Sequence, residues 1–505
     1  MCGRGETGRR SGLKIRFPWS AGSSPAVRTI ALTALLVLAA CNQRPDSGAV
    51  IASAIGSPPS LTDAARGRPD LPARVFANAI AEGLVRFDAA GQIEAGLAER
   101  WIVIDDGTSY IFRLREAQWP NGDPITADQV VALLQRQLAP ASRNPLRPFL
   151  TAIDEIVVMT PQVIEIRLKR PRPDLLKLFA QPELALFRRR GAGGGGPMRI
   201  AEAARSPLLR PAFDPNRADP EDQRQIRPEQ DVRLIGERAA RAITRFMNRD
   251  SDLVLGGSFV DWPLLGFATV APRNIRIDPA MGLFGLAIVN REGFLADVVN
   301  RNAINAAIDR AAIVGAVRGD WEPTDRLLPD ILDSAALPTV PAWSIRTLEQ
   351  RRADARARVA QWRGERPQLR VALPAGPGAT LVFAQIARSL LGIGIVPIRV
   401  AADADADLRL VDQVAPYDSA RWYLANACAL CGDEAREALL AARDAPTLAE
   451  RSRLIAVADR VLDEDVAFIP IARPLRWSLV AVRLDAFRLN ARAWHPLNRV
   501  RDDTK

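Results

Sequence analysis

The chain has 505 residues, too many for one hydrophobic core, so it is expected to form two or three lobes. Its 48% hydrophobic and 25% charged residues are ordinary for a soluble globular protein, and a formal net charge of +10 over this length gives little support to nucleic-acid binding. The single histidine, His495, disfavours a Ser-His-Asp triad or a multi-histidine zinc site. No metal or cofactor is expected.

An apolar run stands directly before a cysteine near the start of the chain. The run IALTALLVLAA, residues 30–40, is too short to cross a bilayer but is typical of a signal peptide. Leu38-Ala39-Ala40-Cys41 has the pattern of a lipobox, in which the cysteine is acylated. We therefore predict a signal peptide over 1–40, a lipid tether over 41–50, and a mature protein in the periplasm, anchored to a membrane by lipid at Cys41.

The first 26 residues lack the apolar character of a leader. An alternative is that translation begins at Val27, which would make residues 1–26 an extension that is absent from the protein. N-terminal sequencing of the unprocessed precursor would distinguish the two starts.

The region from residue 76 to residue 180 is rich in hairpin signals. Asp106-Gly107 separates two β-rich segments, a strong hairpin pattern, and Thr126 with Gln129 forms a capping box at the start of a helix. The predicted elements here are a helix over 76–83, strands over 84–87, 102–104 and 110–114, a helix over 126–138, strands over 153–159 and 163–168, and a helix over 171–179.

Beyond residue 190 the pattern alternates β and α elements. The glycine run at 191–197 is predicted to be a flexible connector, and the Pro- and Arg-rich segment 206–231 a surface loop. The elements that follow are a helix over 237–247, strands over 252–255 and 284–289, helices over 301–317 and 352–362, a strand over 369–373, a helix over 380–391, strands over 396–400 and 407–411, a helix over 448–462 and a strand over 468–471. This alternation predicts α/β layering with a mixed sheet, beside a separate α+β lobe near residues 90–170.

Three aspartates at every second position, Asp403, Asp405 and Asp407, suggest a calcium loop at first sight. The spacing excludes it, because the sixth position from Asp403 is Leu408 where glycine is needed and the twelfth is Val414 where glutamate is needed. We expect the three aspartates to lie on the solvent face of a strand or in its lead-in.

Two cysteines follow closely in the sequence CALC. Cys428 and Cys431 are predicted to form a short local disulfide in an oxidising compartment. A redox-active pair would need a thioredoxin-like βαβ context, and two cysteines are too few for a structural zinc site.

The segment from Gly96 to Val131 reads GLAERWIVIDDGTSYIFRLREAQWPNGDPITADQVV. Its tryptophan, Asp-Gly hairpin, aromatic-x-aromatic strand, glycine turn and Thr-Ala-Asp helix start resemble those of the family 5 extracellular solute-binding proteins, the peptide-binding components of ABC importers. Similar segments are GGGGPMRI at 193–200, RFMNRDSDLVLGG at 245–257, VVNRNAINAAIDRAAIV at 298–314 and DEDVAFIPIARPLRWSLV at 463–480. The chain departs from the family at 201–230, which lacks the expected aromatic, strand-forming sequence, and in its compact second lobe.

This resemblance implies an α/β fold, a two-lobed periplasmic-binding-protein type II clamp with an extra α+β subdomain in the first lobe. Lobe I is expected over 51–75, 181–290 and 476–505, the hairpin-containing subdomain over 76–180, and lobe II over 291–475. Such proteins are not enzymes, since binding drives lobe closure and presents the ligand to a membrane permease. The chain is thus expected to be a monomer that delivers a small peptide or peptide-like ligand to ABC permease subunits in the inner membrane.

The resemblance also implies one binding residue. In peptide-binding members, an aspartate just after a strand of the second lobe accepts the α-ammonium of the ligand, and Asp412 in LRLVD matches that position. A carboxylate there would make a charge-assisted hydrogen bond that water exclusion strengthens. The alternative is that Asp412 is a turn or cap acid before Pro416.

Aromatic and arginine side chains near Asp412 suit a peptide backbone and its carboxylate. The candidates are Tyr417, Arg421, Trp422 and Tyr423. The alternative is a place in the core, which is favoured for Trp422. Asp261 and Trp262 are candidate contacts from the first lobe, with a hinge turn as the alternative.

Two functions of other classes compete with solute import. One is a clamp lipoprotein that has lost transport and acts as a sensor or envelope scaffold, which the unusual 201–230 segment favours. The other is a secreted hydrolase that uses a pair of carboxylates. The sequence argues against it, because this chain has no acid pair in an aromatic sugar-binding setting.

Overall fold

The structure of the protein, a computed structural model, describes residues 47–188, 193–212, 227–330 and 332–501. The predicted signal peptide, the lipidation candidate Cys41 and most of the predicted tether lie outside these residues. Within the described ranges, every helix is too short or too polar to cross a membrane.

The strands of the described residues lie in four sheets. Their bounds are β1 Val50–Ile55, β2 Val85–Phe87, β3 Ile93–Ala95, β4 Ala98–Ile104, β5 Ser109–Leu114, β6 Ile153–Thr160, β7 Val163–Leu168, β8 Met198–Glu202, β9 Leu208–Pro211, β10 Val232–Glu237, β11 Leu253–Ser258, β12 Ile275–Asp278, β13 Gly282–Ile288, β14 Gln368–Leu373, β15 Val396–Ala401, β16 Leu408–Val414, β17 Phe468–Ala472 and β18 Arg476–Val480. The helices are α1 Leu71–Ile80, α2 Ala127–Leu138, α3 Leu175–Phe179, α4 Ala239–Met247, α5 Val298–Ala307, α6 Arg310–Val317, α7 Leu348–Ala360, α8 Pro377–Leu391, α9 Ala420–Ala427, α10 Asp433–Asp444 and α11 Leu448–Asp465.

A mixed seven-stranded sheet has the order β12-β18-β11-β1-β10-β9-β8. Its first strand, β1, lies in the middle and pairs in parallel with β10 and β11, while the other pairings are antiparallel. Strand β9 belongs to the segment 206–231, which was predicted as a Pro- and Arg-rich surface loop. That prediction is wrong for Leu208–Pro211, which pairs with β10 in this sheet.

A mixed five-stranded sheet has the order β15-β14-β16-β13-β17. Strand β14 pairs in parallel with β15 and β16, and β13 pairs antiparallel with β16 and β17. Helices α6 and α8 cover it with buried side chains that include Ile313, Val314, Val382 and Ile386. The alternation predicted from the sequence therefore describes this half of the molecule well.

The chain crosses between the two large sheets twice. Residues 279–281 lead from β12 to β13, and residues 473–475 lead back from β17 to β18. The first crossing precedes residue 282, whereas the sequence placed the lobe boundary at 290. The difference arises because β13, a fully buried apolar strand, hydrogen-bonds to β16 and not to the first sheet.

The hairpin region forms its own four-stranded antiparallel sheet of order β4-β5-β7-β6. Ile104 pairs with Ser109 across the turn at Asp105–Gly107, as the Asp-Gly signal predicted. The capping box predicted at Thr126 is also present, and α2 buries Val130, Val131 and Leu134 against the sheet. Helix α3 is shorter than predicted and begins at Leu175.

The long helix predicted over 301–317 is two helices. Helix α5 ends at Ala307, and the carboxylate of Asp309 accepts a hydrogen bond from the backbone N–H of Ala312 to begin α6. Arg310, the next residue, turns inward, where Nε donates to the carbonyl of Pro470 at 2.7 Å. The break lets a buried arginine bind the backbone of β17, which a continuous helix would not allow.

The glycine run is not a flexible connector within the part that the structure describes, 193–197. A Cβ on Gly194 would lie 2.2 Å from the carbonyl oxygen of Leu186, and one on Gly196 would lie 2.4 Å from the backbone N of Ala81. The backbone N–H of Gly194 donates to the carbonyl of Ile80 at 2.9 Å. Glycine is required here because two backbones approach closely.

Asp407 also differs from its prediction. It is 6% exposed, and its carboxylate accepts hydrogen bonds from the backbone N–H and guanidinium of Arg370 and from Asn290 Nδ2. Asp405 pairs with the same arginine on the outside. Only Asp405 of these two lies on the solvent side, so the alternation of acids does not give one exposed face.

Candidate ligand-binding cleft

A cavity of about 430 Å³ lies where three parts of the chain meet. Its walls come from the seven-stranded sheet and α1, from the hairpin region and the segment after α3, and from β16 and α9 on the five-stranded sheet. The lining residues are Arg68, Pro69, Leu71, Arg74, Phe87, Pro145, Leu146, Gln181, Glu183, Gly256, Asp412, Gln413, Val414, Ala415, Pro416, Trp422, Asn426, Arg476, Arg492, Ala493 and Trp494. A site shared by separately folded sheets is a common place for small-molecule binding.

Asp412 lies in this wall, at the end of β16 that faces the cavity. Nη1 of Arg476 donates to its two carboxylate oxygens at 2.9 and 3.0 Å, and Nη2 donates to its backbone carbonyl at 3.3 Å. Burial raises the pKa of Asp412, and the neighbouring Arg476 opposes that shift without cancelling it. The acid predicted for a ligand amine therefore already holds a cation from the chain itself.

A second arginine of the cavity, Arg492, is engaged by an acid just outside the lining. Its guanidinium pairs with Asp418, which also accepts a hydrogen bond from Lys177 Nζ at 2.6 Å. Nη1 of Arg492 donates to the carbonyl of Ala415 at 3.1 Å. One carboxylate is thus shared by two cations from distant parts of the chain.

The wall formed by α1 and the segment after α3 carries a third ion pair. Nε of Arg74 lies 2.7 Å from Oε1 of Glu183, and the Arg74 guanidinium stands 5.0 Å from the centre of the Trp494 ring. Arg68 is exposed at the same wall and makes no ion pair with any described residue. Four arginines and two acids line the cavity, so its wall carries an excess of positive charge.

Of the seven predicted site residues, Asp412 and Trp422 line the cavity among the described residues. Trp422 is 3% exposed and packs edge-on against Tyr423 at 5.1 Å between ring centres, so it combines a core position with a surface toward the cavity. Neighbouring Asn426, which sequence reasoning missed, donates from Nδ2 to the carbonyl of Trp422 and lies one turn along α9.

Three predicted residues near Asp412 are packing residues instead. Tyr417 is completely buried with its ring 5.9 Å from that of Phe149. Arg421 is buried 5.8 Å from the same ring, and burial lowers its pKa to about 10. Tyr423 is buried beneath Arg473, and burial raises its pKa to about 12. Arg421 and Tyr423 point into the protein because Ala420–Ala427 is a buried helix that was not predicted from the sequence, and Tyr417 lies just before this helix.

Asp261 and Trp262 lie at a hinge-like turn and not in the cavity lining that the structure describes. Asp261 precedes a 3-10 helix, Trp262–Phe267, and burial raises its pKa. The Trp262 ring packs against Trp477 at 6.4 Å and beneath Arg318 at 5.2 Å. These contacts favour the hinge-turn alternative over direct ligand contact.

Arg476 and Arg492 are the residues of the cavity that sequence reasoning missed most clearly. A signal for Arg476 was present, since an arginine at the start of the buried strand RWSLV needs a partner. The partner itself could not be read from sequence, because Asp412 lies on another sheet, 64 residues earlier.

A larger cavity, of about 850 Å³, lies on the side of the five-stranded sheet. Most of its lining comes from residues 308–351, including Asp325, Trp343 and Arg351. It is therefore confined mainly to one half of the molecule, and we place the candidate site in the smaller, shared cavity. The described residues hold no group of three or more His, Cys, Asp or Glu side chains arranged to bind a metal.

The structure joins Cys428 and Cys431 by a disulfide at the end of α9, with 5.2 Å between their Cα atoms. The backbone N–H of the next residue, Gly432, donates to Asp465 at 3.0 Å. The disulfide lies outside the described cavity lining, so we assign it a role in stabilising the fold.

Comparison with known protein families finds a match to one part of the chain. Residues 92–207 match the model of the bacterial extracellular solute-binding proteins, family 5 middle region. This range contains the whole four-stranded sheet and α2, which is where the hairpin and capping-box signals lie.

Two curated relatives show how far the sequence similarity extends. The probable deoxycholate-binding periplasmic protein YgiS of Escherichia coli (strain K12) is 43% identical over 70 residues, which is 14% of this chain and 13% of the relative. The periplasmic oligopeptide-binding protein OppA of Haemophilus influenzae is 23% identical over 309 residues, 54% of this chain and 56% of the relative. The chain thus spans about half the length of the second relative and much less of the first.

Two solved structures share the fold across nearly the whole molecule. The murein tripeptide binding protein MppA of Escherichia coli has a TM-score of 0.76 at 18% identity and covers 90% of this chain and 98% of that one. Haemophilus influenzae OppA in complex with RPPGFSPFR has a TM-score of 0.75 at 18% identity and covers 90% and 99%. These two likenesses show that the chain has the α/β fold of both binding proteins. Residues 92–207 are similar to the bacterial extracellular solute-binding proteins of family 5.

Proposed function

We propose that the chain is an extracytoplasmic solute-binding protein that captures a small peptide-like ligand between two lobes and delivers it to an ABC import permease. The observation that carries this proposal is the cavity of about 430 Å³ whose walls come from both large sheets and from the hairpin region. A ligand there would touch all three parts at once, so its binding free energy would favour the closed arrangement.

The two crossings between the large sheets support lobe movement. Residues 279–281 and 473–475 are short and lie next to each other, since β12 pairs with β18 and β13 with β17. Rotation about two adjacent crossings is a hinge motion of the kind that closes clamps around ligands. The lobes on either side of these crossings, and the hairpin subdomain, form the proposed domain division.

The size of the cavity limits the ligand. Small-molecule sites commonly measure about 300–1,000 Å³, and this cavity lies near the lower end of that range. We therefore expect a ligand of dipeptide or tripeptide size. The two acids of the lining, Glu183 and Asp412, each face an arginine, which does not favour a hydrolase that needs two free carboxyl groups.

The location and partners follow the same proposal. Lipidation at Cys41 would anchor the protein on the periplasmic side of a membrane, where a monomer could meet the permease subunits. Labelling of cells with a fatty-acid probe, compared between the native chain and a Cys41→Ser variant, tests the anchor. A probe signal that persists in the variant would contradict it.

A ligand screen tests the function. The purified chain is heated with alanine di-, tri- and pentapeptides, each with free and with blocked ends, and with nickel chelates and sugars. A ligand present at 100 times its Kd stabilises the folded state by about 2.7 kcal/mol, so a bound solute should raise the melting temperature. We expect short peptides in at least one of their end-group forms, and not the pentapeptides, to do so.

The matched control for the screen is a change in the cavity wall. Trp422→Ala removes a wall residue and is expected to weaken every binding response, whereas Trp362→Ala changes a partly buried tryptophan packed against Phe294, away from the described lining, and should leave the responses in place. If no solute of the screen raises the melting temperature or releases heat on titration, the proposed function is wrong.

A further inference from the structure

The Asp412–Arg476 pair changes which ligand the cavity can accept. Asp412 stands at the position where the resemblance to peptide-binding proteins implies an acceptor for a ligand ammonium. In this chain the same carboxylate accepts two hydrogen bonds from Arg476 Nη1, at 2.9 and 3.0 Å. Both side chains are 17% exposed, so the pair is largely removed from water.

An ammonium group that approaches Asp412 would have to compete with this arginine for the same two carboxylate oxygens. Breaking this largely buried ion pair would leave the guanidinium of Arg476 without its carboxylate partner, which is unfavourable in a site with little water. Arg476 is further held by the carbonyls of Leu475 and Asp412 at 3.0 and 3.3 Å. Displacement of Arg476 would therefore break four hydrogen bonds, and for this reason the cavity disfavours a primary amine beside Asp412.

The remaining charges of the wall favour an anion. Arg68 is exposed and makes no ion pair with any described residue, while Arg492 shares the carboxylate of Asp418 with Lys177. Arg74 has a single acid, Glu183, as its ion-pair partner in the described structure. A planar guanidinium binds a carboxylate with two parallel hydrogen bonds, so several arginines on one cavity wall form a suitable anion site.

We propose that the cavity selects a solute that presents a carboxylate to Arg68, Arg476 and Arg492 and carries no free ammonium opposite Asp412. The inference rests on the proposed function, since it names the class of solute that the clamp takes. N-blocked peptides and small organic acids fit this description, and peptides with a free N-terminus do not.

Four dipeptides with different end groups separate the charge requirements. They are N-acetyl-Ala-Ala (anion), Ala-Ala amide (cation), Ala-Ala (zwitterion) and N-acetyl-Ala-Ala amide (neutral), which are close in size. Calorimetric titration of the full chain is expected to give N-acetyl-Ala-Ala an affinity at least ten times that of Ala-Ala amide. An equal or reversed order in the native chain would overturn the inference.

Two substitutions test the part played by the pair. Arg476→Gln frees Asp412 and removes a cation, so the preference for the anion should fall at least tenfold or reverse. Asp412→Asn keeps Arg476 and removes an acid, so N-acetyl-Ala-Ala should bind as well or better. Arg363→Gln, at an exposed site outside the described lining, is the matched control and should behave as the native chain does.

Folding of each variant is checked by circular dichroism. If Arg476→Gln does not fold, Arg476→Lys keeps the charge without the planar fork and should lower the affinity for N-acetyl-Ala-Ala while the order of the four probes stays the same. A chain that binds solutes of the broader screen but only cationic or neutral ones would refute this inference and leave the proposed function standing. A chain that binds no solute at all would refute both.

Discussion

Lys177 and Asp418 join two parts of the molecule that are far apart in sequence, with Nζ of Lys177 2.6 Å from Oδ2 of Asp418. Lys177 lies in α3 of the hairpin region, and Asp418 lies between β16 and α9 beside the five-stranded sheet. Arg492, from the C-terminal segment, pairs with the other oxygen of Asp418. This carboxylate therefore ties three segments together at the edge of the cavity.

Asp418→Asn should weaken this tie. Loss of a buried ion-pair partner costs about 3–5 kcal/mol, but the side chain of Asp418 is 43% exposed, so solvent screening reduces the expected loss of unfolding free energy to about 1–2 kcal/mol. Urea unfolding measures this loss of unfolding free energy. Glu450→Gln, which removes one partner of an exposed pair with Arg453, is the control and should leave the midpoint unchanged.

The pKa of Asp418 also determines how the stability difference between the native chain and Asp418→Asn depends on pH. Burial tends to raise the pKa of Asp418, but hydrogen bonds and charges from Lys177 and Arg492 outweigh burial and hold the pKa below its usual range. The ionised carboxylate thus contributes stability above its unfolded pKa of about 4, and this contribution is lost as the pH falls through the lower folded-state pKa. The native chain and Asp418→Asn should therefore converge in stability below pH of about 4. A constant gap down to pH of about 2 would contradict the assignment.

Asp174→Asn should have the opposite effect at neutral pH. Burial, and then the charge of Asp333, raise the pKa of Asp174 to about 6. The ionised form is then disfavoured in the folded state: the penalty is absent below the unfolded pKa of about 4 and is complete above the folded value. Removing the charge should stabilise the protein by about 2–3 kcal/mol at pH of about 7.5 and by nothing near pH of about 4. Thermal unfolding across this range measures the difference, and an unchanged pH slope in the variant would contradict it.

Asp465→Asn should be strongly destabilising. Oδ1 of Asp465 accepts hydrogen bonds from Arg291 at 2.8 Å and Arg301 at 3.2 Å, and the Arg301 side chain is only 4% exposed. The substitution removes the carboxylate that is ion-paired with that buried guanidinium, at a cost of about 3–5 kcal/mol. Glu464→Gln, one residue away in an exposed i,i+4 pair with Arg460, is the matched control. Equal midpoints for the two variants in urea would refute the prediction.

Replacing Cys428 and Cys431 together by serine should cost little. A cross-link stabilises mainly by restricting the unfolded chain, and the loop closed here spans a sequence separation of only 3 residues. The expected loss of unfolding free energy is about 2 kcal/mol or less. Thermal unfolding of the native chain with and without a reducing agent should show the same shift as the double variant. A much larger loss, or a loss of ligand binding, would show that the bridge supports the cavity.

Local signals predicted the hairpin region well because its contacts are close in sequence. The Asp-Gly turn pairs Ile104 with Ser109, and the capping box starts α2 at the predicted place. The same kind of reasoning failed at 301–317, where the apolar pattern runs on through the break at Asp309. There the backbone turns so that Arg310 reaches Pro470, a contact across 160 residues that no local pattern contains.

The candidate site was predictable only in part for the same reason. Asp412 was named because LRLVD resembles the strand and acid of peptide-binding proteins, and it does line the cavity. Its partner Arg476 belongs to another sheet, so the pairing depends on how the two sheets meet. Tyr417, Arg421 and Tyr423 were placed by residue type alone, and burial in or beside a helix turned them inward.

The position of β1 in the seven-stranded sheet has a consequence for how the chain can be made. β1, at residues 50–55, needs β10 and β11 as neighbours, and β12 is attached to β11 only through β18, at residues 476–480. A chain synthesised only as far as residue 470 would leave an edge of β11 unpaired and β12 detached. Contacts of such long sequence separation form slowly. Completion of this sheet therefore has to wait for almost the whole polypeptide, and until then its exposed strand edges need protection from aggregation.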